Sequence, residues 1–307
     1  MSPLEAALVD YLRLRRALGH KLDDSGRQLA RFVPYLDGIG AETVTMQAAV
    51  AFVCDPELDP ASSTPARRLT AVRGFARHLA GIDACTEIPP AGLVSYRRSR
   101  RNPYLFSDED VTAVARAARA STPFPFRAET LTSVIGLLAV TGMRVGEALR
   151  LDRADIDWDD AVILIRDTKF GKGHNVPVST STIEALAAYA HRQDRPRTAT
   201  ARLFVSLAGT AIFYSDFART FRDAVITAGV GDGSPVRPRI HDLRHSFAVR
   251  TLLGWYRSGL DVEALLPRLA TYLGHREPRF TYWYLTATPE LLGQAAARLE
   301  AVQAVTP

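Results

Sequence analysis

Between residues 89 and 103 the chain carries a stretch that no continuous helix or strand can cross: Pro89-Pro90-Ala91-Gly92, then Tyr96-Arg97-Arg98-Ser99-Arg100-Arg101-Asn102-Pro103. Proline lacks an N–H and glycine is too free in φ to hold a regular element. Arg97, Arg98, Arg100 and Arg101 repel one another unless an anion lies between them. Such a break divides the 307 residues in two, and each part must bury a core of its own, which 47% hydrophobic residues allow. The expected organisation is a domain over 1–95, a basic linker over 96–104 and a domain over 105–307. A solvated linker without an anionic partner is the plain alternative.

The first part reads as four helices. Leu4, Ala7, Leu8, Tyr11 and Leu12 recur at helical spacing. A second run passes from Ser25 through Leu29, Phe32, Val33 and Leu36 to Gly38 and Gly40, and a third covers Thr45 to Val53. The fourth spans about 62–79, with Pro65 in its first turn and Gly81 beyond its end. It carries Arg67, Arg68, Arg73 and Arg77, of which Arg73 and Arg77 share a face. Phosphate contact and a solvated helix surface both fit these arginines.

In the second part Ser107 precedes Asp108-Glu109-Asp110, an N-cap followed by carboxylates that suit a helix start. Helices are expected at about 107–120, 127–140, 181–193, 213–228, 241–257, 261–272 and 289–304. Between the second and third the period changes. Ala161 to Ile165 and Asn175 to Val178 read as two strands joined by a glycine-containing turn, and Leu203-Phe204-Val205 as a third short strand. The class is mainly α with a small antiparallel sheet.

Four segments carry candidate chemistry. In Thr141-Gly142-Met143-Arg144-Val145-Gly146-Glu147 the carboxylate of Glu147 falls three residues after Arg144, where it can hold the guanidinium; alone, a surface ion pair fits as well. His241-Asp242-Leu243-Arg244-His245 places a His and an Arg three apart on a helix, able to grip a phosphate or to pack; His245 points elsewhere. Leu273-Gly274-His275 is followed nine residues later by Tyr284, and Trp283 beside it suits core packing. A phenol, with a pKa of ~10, is a poor nucleophile until cations lower that value or a base takes its proton. Finally, of 38 basic residues only Lys21, Lys169 and Lys172 are lysine, and two of these share the turn Thr168 to His174. A lysine can release a proton where an arginine cannot, although a solvated turn explains the pair equally well.

Other classes are disfavoured. Cys54 and Cys85 are too few for a disulfide framework or a zinc site, there is no run of ~20 apolar residues, and no signal peptide is recognisable at the start. The formal charge of +5 favours an anionic partner only weakly. A cytosolic, metal-free chain without a cofactor is expected.

Taken together and in this order, Arg144, the hairpin lysine, His241-x-x-Arg244, Leu273-Gly274-His275 and Tyr284 resemble the tyrosine recombinase (phage integrase) family over about 105–290. The N-terminal helices are similar, less distinctively, to that family's core-binding domain. The resemblance implies an enzyme that cleaves and rejoins double-stranded DNA through a 3′-phosphotyrosyl link. It assigns Tyr284 as nucleophile, Arg144, Arg244, His241 and His275 to the phosphate, Glu147 as support for Arg144, and Lys169, ahead of Lys172, as proton donor. Arg67, Arg68, Arg73, Arg77, Arg97, Arg98, Arg100, Arg101 and Lys172 are the expected DNA contacts. A tetramer on paired sites in a bacterial cytoplasm and a mobile-element role are also implied. An accessory DNA-binding protein with an unused site and a type IB topoisomerase-like enzyme are the competing readings. Pro278-Arg279-Phe280 and Trp283 depart from the smaller polar residues common in the family before the nucleophile.

Overall fold

The computed structural model describes residues 2–59, 62–94, 102–166, 173–198, 200–275, 277, 279–286 and 293. The expectations for Arg97, Arg98, Arg100, Arg101, Lys169, Lys172 and the helix at 289–304 lie outside them. The chain divides into two compact units, Met1–Arg100 and Arg101–Pro307.

The first unit is built from α1 (Pro3–Ala17), α2 (Asp23–Gly38), α3 (Met46–Val53) and α4 (Thr64–Leu79). Helix α1 starts in a reciprocal cap: Ser2 Oγ accepts from the Glu5 N–H at 3.1 Å, and Glu5 Oε2 accepts from the Ser2 N–H at 2.9 Å. Thr45 caps α3 by a single bond, its Oγ1 accepting from the Ala48 N–H at 3.2 Å. The apolar faces of the four helices meet in one cluster around Leu29, Phe32, Leu36, Val72 and Phe75.

In the second unit α5 (Asp108–Ala120) and α6 (Pro125–Thr141) pack on α8 (Thr180–Ala190) and α9 (Tyr214–Thr227), with the one-turn α7 (Val145–Ala148) after α6. The Ser107–Asp110 capping box starts α5. Strands β1 (Ile156–Asp157), β2 (Val162–Ile165) and β3 (His174–Pro177) form an antiparallel sheet in that order. Ile163 pairs with Val176 and Ile165 with His174. Ile163, Ile165 and Val176 are buried while Leu164 is exposed, the alternation of a sheet with one face on a core. A second apolar cluster joins α10 (Ile240–Arg257), α11 (Val262–Tyr272) and Tyr284, which follows α12 (Arg279–Tyr282) in a 3-10 turn over Trp283–Thr286.

One strand differs from expectation. The third strand is Ile156–Asp157, whereas 203–205 makes isolated bridges at its flanks, Asp152 with Arg202 and Val205 with Ala211. Leu203, Phe204 and Val205 are all buried, so their apolar run reports core packing, with only the single bridge of Val205 to Ala211 inside it.

Candidate active site

The site grows from three helix ends. Helix α11 closes with Gly274 at φ +63°, its N–H bonded to Thr271 O at 2.9 Å and the His275 N–H to Ala270 O at 2.8 Å. That is a Schellman cap, whose left-handed residue is best supplied by glycine. Two late carbonyls, Leu273 O and Gly274 O, are thereby turned away from the helix. Helix α6 ends likewise at Gly142, φ +62°. A Cβ there would lie 2.5 Å from Phe247 Cδ1, so this glycine is also required by space.

Arg244, on the second turn of α10, runs between these ends. Its Nη1 donates to Gly142 O at 2.9 Å and its Nη2 to Leu273 O at 2.5 Å. Helix C-terminal carbonyls carry partial negative charge and lack intrahelical donors, so they suit a buried guanidinium. Burial first, and Arg144 second, bring Arg244 down to about 10, still charged at neutral pH. Arg144 precedes α7 and is held by Glu147: Nη1 donates to Oε1 at 2.6 Å and the backbone N–H to Oε2 at 2.8 Å. Its Nη2 reaches Gly274 O at 3.3 Å. Adjacent carbonyls of one turn thus receive the two arginines.

His241 and Arg244 owe their place to the start of α10. Asp242, fully buried, accepts from the Arg239 N–H at 2.9 Å and from the Arg239 guanidinium at 3.2 and 2.9 Å. His275 Nδ1 is paired with Thr281 Oγ1 at 2.8 Å. The Tyr284 ring lies near-parallel to that of His275, centroids 6.1 Å apart, and is only 2% exposed. Burial raises the Tyr284 phenol above its ordinary value, and the charge and hydrogen bond of Arg244 offset this only in part. Cations alone therefore do not ionise it. Desolvation brings His275 to about 3, with Arg244 and Arg144 adding to the shift, and His241 is lowered by the same causes.

Arg144, Glu147, His241, Arg244, His275 and Tyr284 are thus drawn to one region of the second unit. The helix-α4 arginines fare differently. Arg68 is buried and bonded to Phe52 O at 2.6 Å and Asp55 Oδ2 at 3.2 Å, with its guanidinium over the Phe52 ring. It belongs to the core of its own unit, not to a phosphate surface, which corrects its place among the expected DNA contacts. Arg67 is exposed but forked onto Asp24. Arg73 is half-buried, and Arg77 is exposed.

Two histidines enter the region unanticipated. His245 does not point elsewhere: its ring meets those of His241 at 4.8 Å, Trp283 at 5.0 Å and Tyr284 at 5.4 Å. Desolvation above all brings it to about 3. His174, first residue of β3, lies against Gly274. The signal for it was its position directly after the lysine-bearing turn.

Three comparisons bear on this arrangement. Residues 107–290 match the family described as phage integrase. Over 308 residues, 98% of each chain, the protein is 40% identical to a Sinorhizobium fredii chain described as an integrase/recombinase. It is 31% identical over 309 residues, 94% of each chain, to the tyrosine recombinase XerD of Mycobacterium tuberculosis. In fold it is similar to the XerH site-specific recombinase bound to its DNA substrate, with a TM-score of 0.66, 19% identity and coverage of 91% of this chain and 80% of that one. The Tn1549 transposon integrase in complex with transposon end DNA gives a TM-score of 0.65 at 14% identity, covering 97% and 99%.

Proposed function

The chain belongs to the phage integrase family and is a tyrosine-type site-specific recombinase, and from that premise we propose that Tyr284 cuts DNA by forming a 3′-phosphotyrosyl link. The observation that carries this reading is the meeting of the Tyr284 phenol with Arg244, itself bonded to two helix ends. Tyr284 Oη attacks a backbone phosphorus in line, the P–O5′ bond breaks, and the phosphodiester energy is kept in the new link. Charge develops on the non-bridging oxygens, where Arg144, Arg244 and His275 act as donors already in position. Because burial keeps the phenol protonated, a base is needed, and His241, held neutral, takes the proton. Lys169 protonates the departing O5′, with Lys172 the fallback. Rejoining reverses these steps with the 5′-hydroxyl of a new strand.

The first unit and the basic segment 96–104 would track the duplex, with Arg73 and Arg77 the candidates on α4 that have no ion pair among the described residues. The active assembly would be a homotetramer on paired sites in a bacterial cytoplasm, and the task integration, excision or transposition of a mobile element. The likeness to an integrase/recombinase over the whole chain supports the last point.

The test is covalent capture. The protein is mixed with fragmented genomic DNA of its source, denatured in SDS, and the DNA retained on protein is sequenced. Wild type should retain a discrete set of sequences, while Tyr284→Phe should bind the same DNA without any SDS-resistant adduct. An adduct that persists in Tyr284→Phe overturns the assignment.

A further inference from the structure

His174 is a polar side chain of the described site that neither the nucleophile nor the phosphate accounts for. His174 opens β3 at the base of the β2–β3 connection, paired across the sheet with Ile165. Its ring fills the space that a side chain at 274 would take: a Cβ on Gly274 would lie 2.6 Å from His174 Cε1 and 3.1 Å from both ring nitrogens. Gly274 is the left-handed residue of the α11 cap, and its carbonyl and that of Leu273 hold Arg144 and Arg244. Three residues along β3 from His174, Pro177 O accepts from the Tyr272 hydroxyl at 3.3 Å, a second tie between the same strand and the same helix end.

We propose that His174 is a positioning residue: seated on Gly274, it fixes the Leu273–Gly274 carbonyl pair that aligns the two arginines and docks onto it the strand that follows Lys169 and Lys172. This rests on the assignment of Arg144 and Arg244 to the phosphate. Rings stacked on a glycine transmit displacement directly, because a packed contact cannot give without moving the backbone behind it. A shift of the turn moves both guanidinium groups together, and small misplacement of preorganised donors is costly in rate.

The charged groups facing His174 are Glu147, Arg144 and Arg244, and its ring is hydrogen-bonded to the Tyr272 backbone. Desolvation chiefly, then the arginines against Glu147, hold it below its ordinary value, so the ring on Gly274 is neutral at neutral pH. Acidification adds a third cation beside Arg144 and Arg244.

The experiment uses the full-length protein and a duplex recovered by covalent capture, nicked beside the cleavage point so that adducts accumulate in a single turnover. His174→Ala should form adduct roughly ten- to a hundred-fold more slowly while binding the duplex as wild type does. Gly274→Ala should be slowed too, and the double variant should be no slower than Gly274→Ala alone, since the ring that the methyl would strike is gone. His174→Phe keeps a ring without a titrating group and should lose less of its neutral-pH rate at pH 5.5 than wild type loses. Wild-type rate and pH profile in both His174 variants overturn the proposal, as do losses that simply multiply in the double variant. Should His174→Ala fail to fold, the His174→Phe profile decides. Failure of wild type to form any adduct would instead strike the assignment of Tyr284, a separate outcome.

Discussion

Arg244 and Arg68 are both buried arginines, and their surroundings separate a site from a core. Arg68 spends its donors on a carbonyl and a carboxylate of its own unit and its face on Phe52. Arg244 is oriented by two backbone carbonyls and meets the Tyr284 phenol, contacts that leave its charge unneutralised. Arg144 stands between these cases, because its partner Glu147 is a carboxylate that is itself 5% exposed. Glu147 fixes the guanidinium and also accepts the backbone N–H that opens α7. Glu147→Gln keeps the shape but loses the charge-assisted bond, typically about twice as strong as a neutral one. Adduct formation should fall about tenfold, less than the ~10²–10³ expected when a phosphate donor is removed outright, as in Arg144→Ala. Equal losses in the two variants would show that Glu147 does more than hold Arg144. Single-turnover rates on the nicked duplex separate the outcomes.

At the scale of elements, the site depends on where helices stop and start. Asp242 joins Arg239 to the first turn of α10 by three hydrogen bonds and is fully buried. Hydrogen bonds that involve charged groups contribute ~1.5–3 kcal/mol. Asp242→Ala should therefore cost about 2 kcal/mol in chemical denaturation, and should slow adduct formation because His241 and Arg244 lie on the frayed turn. An unchanged unfolding midpoint would refute the capping role. Much of this layout was legible in the residues. The Ser107–Asp110 cap and the hairpin strands are local signals, each read from a few neighbours. The order Arg144, His241, Arg244, His275, Tyr284 was legible as a motif, but not its cause. That Leu273 and Gly274 present carbonyls to arginines 29 and 130 residues away is a tertiary fact. His245 and Arg68 were misread for the same reason: helical spacing tells which residues share a face, not what lies opposite. The apolar 203–205 run could not be told from a strand, because burial and pairing leave the same signature in so short a segment.

At the scale of the whole molecule, the site makes stability depend on pH. His174, His241, His245 and His275 all lie in the second unit and all have lowered pKa values, with His245 and His275 at about 3. In the unfolded chain an imidazole titrates near ~6.5. Below that value the unfolded state binds more protons than the folded one, so stability rises with pH through this window. The contribution is fully present above ~6.5 and is lost progressively as pH falls toward 3. The first unit has a different dependence. Asp24, lowered chiefly by its bond to Arg67, and Asp83, lowered chiefly by Thr43, contribute only above the unfolded carboxylate range near ~3.9 and lose that below it. Trp158, Trp255 and Trp283 are the three tryptophans of the chain and all follow residue 101, so their fluorescence reports the second unit alone. The urea midpoint followed by tryptophan emission should drop between pH 7.5 and pH 5, where the first unit's shifted carboxylates have yet to titrate. His245→Gln should flatten that drop, because it removes one of the two deepest depressions while leaving Arg244 in place. A midpoint constant from pH 7.5 to 5 would mean that the histidines accept protons in the folded state. It would then refute the burial that holds these four rings below their ordinary value.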